Sequence, residues 1–302
     1  MAIRIGTNPI AWSNDDMPEL GGDTPLETCL SEARQAGYGG MELGNKFPRQ
    51  SDKLRPILDR YGLSLVSGWY SARLLERTAE EEINALNDHL NLLRDLGATV
   101  VVFAETSRSV AGERQTPVSR RPRIQERDWP TFCRRLNTVA THLADNGVAM
   151  AYHHHMGTVV ETAAEIERLM EETSPAVGLL FDTGHLTYAG ADPATILKEY
   201  GPRINHVHCK DVRKETLLKM RREDSSFMNA VLNGVFTVPG DGSIDFAPLL
   251  AKLKSLKYKG WLVVEAEQDP AKAPPLAYAT KGYDYLLKTA KAAGLNITER
   301  AA

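Results

Sequence analysis

The chain of 302 residues carries 36 lysines and arginines against 39 aspartates and glutamates, and its formal charge of -3 offers no overall basic surface to nucleic acid or an anionic membrane. Hydrophobic residues at 42% and charged residues at 25% describe a globular chain and exclude long disorder, collagen and disulfide-rich miniproteins. Cys29, Cys133 and Cys209 form no CxxC pair, the opening MAIRIGTNPIAW has no apolar signal core, and no uncharged apolar run nears the roughly 18 residues of a membrane span, so a cytoplasmic protein is expected.

In chain order, apolar runs of strand length fall at 3–8, 39–44, 63–69, 98–105, 148–155, 177–185, 204–211 and 260–267. Helical segments separate them. Leu26, Cys29, Leu30 and Ala33 fall at i, i+3, i+4 and i+7 behind Thr24 as N-cap and Pro25 as first helical residue. Phe132, Leu136, Val139 and Leu143 form a second stripe, and Asp192-Pro193 opens a further helix. Buried strands separated by helices pair in parallel, because each crossover needs a dozen or more residues. Eight such units in a chain of this length predict a closed (β/α)8 TIM barrel, one domain over 1–302, without the Gly-rich dinucleotide turn of an open doubly wound sheet. Two connections, 106–127 and 213–245, exceed ordinary βα loops; both follow strands and so lie on the C-terminal face, where one is expected to cover a substrate. The tail after Ala293 is polar and expected to be weakly ordered.

Strands normally end in apolar residues, yet the last four here run into His153-His154-His155, Asp182 with His185, His206 and His208 with Lys210 and Asp211, and Glu265 with Glu267. Side chains alternate with period two, so His153 and His155 share a face, as do His206 with His208 and Glu265 with Glu267. A lone strand histidine is more often a hydrogen-bonded structural residue, and His154 and His206 fit that description. The group is different, because burying several unpaired titratable residues is costly and a shared divalent cation (manganese, cobalt, magnesium or zinc) satisfies them together. Asp182 then holds metal while His185, three residues on, contacts substrate or orients a ligand. Lys210 shares the face of His208, where a metal neighbour would lower its pKa and suit it to acid or base work; pairing with Asp182 or Asp211 is the alternative.

Asn8, Trp12, Glu42, Asn45 and Lys46 lie at or just past the first strand ends, Trp69 follows the third, and Arg213 opens the second long connection. Aromatic faces beside amide and charged groups suit a polyol, so these seven are the expected substrate contacts.

HHHMGT, FDTGH, HCKD, the GDGSIDF turn and a last strand ending in glutamate resemble the xylose isomerase-like barrel superfamily over nearly the whole chain. The opening TNPIAWSNDDMPELGGDTPLETCLSEARQAGYGGMELGNKFPR and YHHHMGT resemble the inosose dehydratase family within it. The resemblance implies a metal set of His153, Asp182, His208 and Glu265, with histidine standing where the common strand-five pattern has glutamate, and leaves open whether His153 or His155 is that ligand. It further implies manganese or cobalt, and an association with glutathione for which the sequence carries no recognisable motif. The implied reaction is loss of water from 2-keto-myo-inositol, with Lys210, His155 and His185 sharing proton removal and protonation of the leaving oxygen, and Glu265 as ligand and second base. A ketose epimerase or sugar isomerase, an endonuclease IV-like phosphodiesterase and a non-catalytic sugar-binding barrel are the competing readings. No nucleic-acid or membrane partner is expected, and homo-oligomerisation stays open.

Overall fold

Alternation inside the strands builds the barrel. The computed structural model describes residues 3–298. Strands β1 (Arg4–Thr7), β2 (Gly40–Leu43), β3 (Ser64–Ala72), β4 (Val100–Glu105), β5 (Ala149–Tyr152), β6 (Val177–Asp182) and β7 (Ile204–Cys209) are followed by a short hairpin of β8 (Asp211–Val212) with β9 (Phe236–Thr237) and by β10 (Trp261–Val264). The barrel closes in the order β1-β10-β7-β6-β5-β4-β3-β2, with every pair parallel; β8 and β9 pair antiparallel outside it. In β2, Met41 and Leu43 face the helices; in β7, Val207 and Cys209 do so. Their neighbours Glu42, His206 and His208 therefore project inward. Val66, Val100, Val102, Ala151, Leu180, Trp261 and Val263 form small apolar clusters of their own, apart from the main core between barrel and helices. Two residues further along the same strand faces stand His153, Asp182 and Glu265, so the interior changes from apolar to ionisable toward the C-terminal rim.

The helices are α1 (Leu26–Ala36), α2 (Ser51–Tyr61), α3 (Ala79–Asp95), α4 (Trp129–Asp145), α5 (Ala163–Glu172), α6 (Thr183–Ala189), α7 (Pro193–Tyr200), α8 (Lys214–Arg222), α9 (Phe227–Leu232), α10 (Phe246–Ser255) and α11 (Pro275–Ala292). The stripes of α1 and α4 are buried, and Asp192 caps α7 by accepting from Ala194 N. Helix α1 starts one residue later than its sequence signals indicate: Pro25 is the N-cap, and Thr24 caps nothing.

The last four strands end earlier than expected, at Tyr152, Asp182, Cys209 and Val264, so His153, Lys210 and Glu265 are the first residues beyond the sheet while Asp182, His206 and His208 lie within it; the third runs on to Ala72, which places Trp69 inside it. The DTGH segment is a helix start, with Asp182 Oδ1 accepting from His185 N at 2.8 Å as the cap of α6. Segment 213–245 is no simple solvated loop. Phe227, Met228, Val231 and Phe236 from it join Met156 and Tyr188 in a second apolar core above the barrel. The tail is anchored as far as Thr298, since Ile3 N donates to Asn296 O and Thr298 N to Ile3 O; residues 299–302 lie outside the described residues. No described helix is long and apolar enough to cross a membrane.

Candidate active site

Four donor atoms converge at the C-terminal end of the barrel. One ligand atom each from His153, Asp182, His208 and Glu265 falls within 4.8 Å of the others, and all four residues are buried. His153 Nε2 lies 3.7 Å and His208 Nδ1 3.4 Å from Asp182 Oδ2, and His208 Nδ1 also contacts Glu265 Oε2. Asp182 Oδ2, His208 Nδ1 and Glu265 Oε2 have no hydrogen-bond partner although they are buried. Orphaned lone pairs at one point fit a cation, which removes a desolvation cost of several kcal/mol in order of magnitude. Each histidine is held through its other nitrogen: His153 Nδ1 lies 2.6 Å from His154 O, and His208 Nε2 lies 3.1 Å from Glu42 Oε1.

Beneath this quartet, Glu42 accepts from Asn8 Nδ2 (2.7 Å), Ser67 Oγ (2.5 Å) and His206 Nε2 (2.8 Å) as well as from His208. Burial opposes its charge, but His208 and His206 overcome that and hold its carboxyl well below the usual range.

Lys210 is fully buried among carboxylates. Its Nζ lies 2.6 Å from Glu267 Oε1, 3.1 Å from Glu265 Oε1, 3.7 Å from Asp182 Oδ2 and 2.9 Å from His185 Nε2. Burial lowers the pKa, yet the charges of Glu265, Glu267 and Asp182 outweigh it and raise the group above the ordinary lysine value. Asp211 is not its partner, being used to accept from the backbone N–H groups of Val212, Gly240, Gly242 and Ile244. Gly184 of DTGH is required by this packing, because a Cβ there would sit 2.5 Å from Lys210 Cγ. His155 is set differently. Its Nδ1 lies 2.8 Å from Met156 O, and burial, reinforced by the Lys210 charge, lowers its pKa to about 4, leaving a neutral ring with a lone pair at Nε2.

A cavity of about 400 Å3 opens above the quartet. Asn8, Glu42, Asn45, Trp69, His153, His155, His208 and Glu265 line it. Trp69 stands edge-on to His153 and His155, with ring centroids 5.6 and 5.5 Å away, and is 39% exposed. The structure does not bring Trp12, Lys46 or Arg213 to this wall. Trp12 Nε1 donates to Glu32, Lys46 Nζ to the carbonyls of Gly22 and Thr24, and Arg213 to Gly234 O, Thr237 Oγ1 and Asp241. Asp182, His185 and Lys210 sit one layer behind the wall. Asp15, Asp16, Arg49, Ser71, Thr106, Ser109, Thr158 and Glu267 are lining residues absent from the sequence-derived set. Period two already placed Glu267 beside Glu265, and Ser71 lies in β3 two residues past Trp69; the others stand on loops without a periodic signal.

Both long connections serve the site. The first supplies Thr106, Ser109, Ala111 and Gly112 to the wall. Its buried Arg121 donates to Thr158 O (3.0 Å) and to both oxygens of Glu165 (2.8 and 2.9 Å), with Nε 3.2 Å from Glu161, and so fastens the loop that carries His155. The second connection sets Phe227 against His155 and His185, at ring centroids 5.1 and 5.7 Å.

A barrel with inward titratable residues at its C-terminal rim defines an enzyme-like class, and a family model described as xylose isomerase-like TIM barrel matches residues 30–289; the chain belongs to that family. Over 298 residues it is 54% identical to the rhizopine catabolism protein MocC of Rhizobium meliloti, covering 99% of this chain and 92% of that one. It is 47% identical to an inosose dehydratase of Geobacillus thermodenitrificans, covering 95% and 97%. Among solved structures, an L-ribulose 3-epimerase shares the fold with a TM-score of 0.68 at 18% identity, over 97% of this chain and 96% of that one.

Proposed function

We propose that the chain is a cytoplasmic, metal-dependent hydro-lyase that removes water from 2-keto-myo-inositol to give a trihydroxycyclohexane-1,2-dione in inositol catabolism. The observation that carries this reading is the convergence of His153, Asp182, His208 and Glu265 on one point under a polar cavity, in a chain 47% identical to an inosose dehydratase. Two imidazoles and two carboxylates suit manganese or cobalt, and admit magnesium or zinc. A divalent ion there would supply Lewis acidity beside the ketone and take up the negative charge that enolisation develops.

The remaining work falls to the chain. Trp69 offers its face to the ring C–H groups, while Asn8 and Asn45 hydrogen-bond hydroxyls. His155 takes the proton alpha to the ketone at Nε2, the nitrogen its Met156 contact leaves with a lone pair. The β-hydroxyl leaves with the electron pair of its C–O bond and a proton that Lys210 passes through Glu267, which lines the cavity. One water departs, and the α-hydroxy enone left behind ketonises to the dione. His185, stacked on Phe227 beside Lys210, orients this relay. Histidine at position 153 removes one of the two carboxylates that epimerisation uses to move a proton between faces, which disfavours the ketose epimerase reading. The wall carries Asp15, Asp16, Glu42, Glu265 and Glu267 against Arg49, which suits an uncharged polyol and not a phosphate or nucleic acid.

The test is a panel of inososes and ketoses incubated with manganese-loaded protein and followed by enedione-type ultraviolet absorption and mass spectrometry. A dione from an inosose is expected. A stereoisomer of a ketose with no dione would overturn the reading.

A further inference from the structure

The two histidines of the quartet present different nitrogens, and what fixes each is different. His153 Nδ1 lies 2.6 Å from the backbone carbonyl of His154, which leaves Nε2 facing Asp182. His208 is turned the other way, with Nε2 3.1 Å from Glu42 Oε1 and Nδ1 facing Asp182 and Glu265. An ionised carboxylate only accepts, so a proton must sit on His208 Nε2 for this contact to be attractive. Glu42 reaches across from β2, three strands round the barrel from β7, and its own position is fixed by Asn8, Ser67 and His206, which already donate to both of its oxygens. Although it borders the cavity, its Oε1 is engaged entirely by protein donors, Ser67, His206 and His208.

We infer that Glu42 is a positioning residue for the metal centre, holding His208 as the Nε2–H tautomer so that Nδ1 is the donor atom. This rests on the metal-dependent reading above. His206 and His208 both reach Oε1, so glutamine in its place offers them either a neutral carbonyl oxygen in place of a carboxylate or an NH2 group that faces both donors, and the charge-assisted hold on the His208 ring is lost. Outer partners of metal-bound histidines typically carry roughly 10- to 100-fold in ion affinity.

The experiment compares the manganese dissociation constants of wild type and Glu42→Gln, with thermal melting as the check on folding. It also reads the ring nitrogens of 15N-histidine-labelled wild type loaded with zinc, the His208 signals being those lost in His208→Gln. We expect binding weakened about 10- to 100-fold in Glu42→Gln, and in wild type a proton on His208 Nε2 with the metal shift on Nδ1. Glu42→Gln binding within twofold of wild type, or a His208 proton on Nδ1, would overturn the inference. If Glu42→Gln does not fold, the wild-type ring nitrogens decide alone. Wild type that binds no ion would overturn the metal reading itself, an outcome distinct from tight binding that ignores Glu42.

Discussion

The half of the barrel built from β5, β6, β7 and β10 supplies His153, Asp182, His208 and Glu265, whereas the half built from β1 to β3 supplies Asn8, Glu42, Ser67 and Trp69. The first half exposes lone pairs that no protein donor satisfies; the second is internally paired, with Glu42 accepting four hydrogen bonds and Trp69 donating to Ser71 Oγ at 2.7 Å. On the proposed function, one half takes an ion and the other orients a ligand ring and offers a surface to a polyol. Changes in the two halves should therefore fail in different ways.

The largest effect belongs to the ion-facing half. Asp182→Ala or His208→Ala removes a donor atom, so manganese binding and dione formation should both be lost while the barrel still melts cooperatively. Elemental analysis beside a turnover assay reads both, and a variant that keeps its ion would break the contrast. Next comes the clamp on the histidine loop. Arg121→Met leaves the carboxylates of Glu161 and Glu165 without their buried cation and should cost about 3–5 kcal/mol in denaturant unfolding. A loss under 1 kcal/mol would show that the loop holds itself.

A pH effect of similar size is expected at the end of β4. Burial raises the Glu105 carboxyl from 4.5 to about 7, against the N–H groups of Ser107 and Leu74 that it accepts. The folded state therefore binds this proton more tightly than the unfolded chain. The stabilisation is complete below about pH 4.5 and is lost as pH rises through 7, amounting to about 3 kcal/mol. Unfolding free energies between pH 5 and 8 should fall more steeply in wild type than in Glu105→Gln, and parallel curves would contradict the assignment. The smallest effect is at Trp69. Trp69→Ala should raise KM about tenfold, roughly 1.4 kcal/mol of lost stacking, with manganese affinity unchanged. A parallel loss of ion affinity would mean that the edge contact with His153 matters more than the substrate face.

These residues differ in how far the sequence discloses them. His153 with His155, and Glu265 with Glu267, are legible because alternation carries past the end of the sheet, so spacing alone assigns their face. The eight strands are legible for a different reason, as short apolar runs separated by helical segments, because a parallel barrel strand is buried on both faces. Trp12, Lys46 and Arg213 look equally suited to a ligand, but proximity to a strand end does not reveal which protein group takes a polar atom, here Glu32, the α1 approach and Asp241. Asp15, Asp16 and Arg49 reach the cavity only through loop conformation, which no periodicity encodes. Lys210 is legible as a cation near the site, but its protonation depends on three carboxylates from two other strand ends, and only the assembled barrel shows that they outweigh its burial.

The most direct test of a single cation-dependent centre is to strip the protein with a chelator, confirm the metal content, and titrate manganese back while following dione formation from the inosose. The account predicts no turnover in the stripped protein and full recovery at about one ion per chain. Full turnover in protein shown to be metal-free would contradict it.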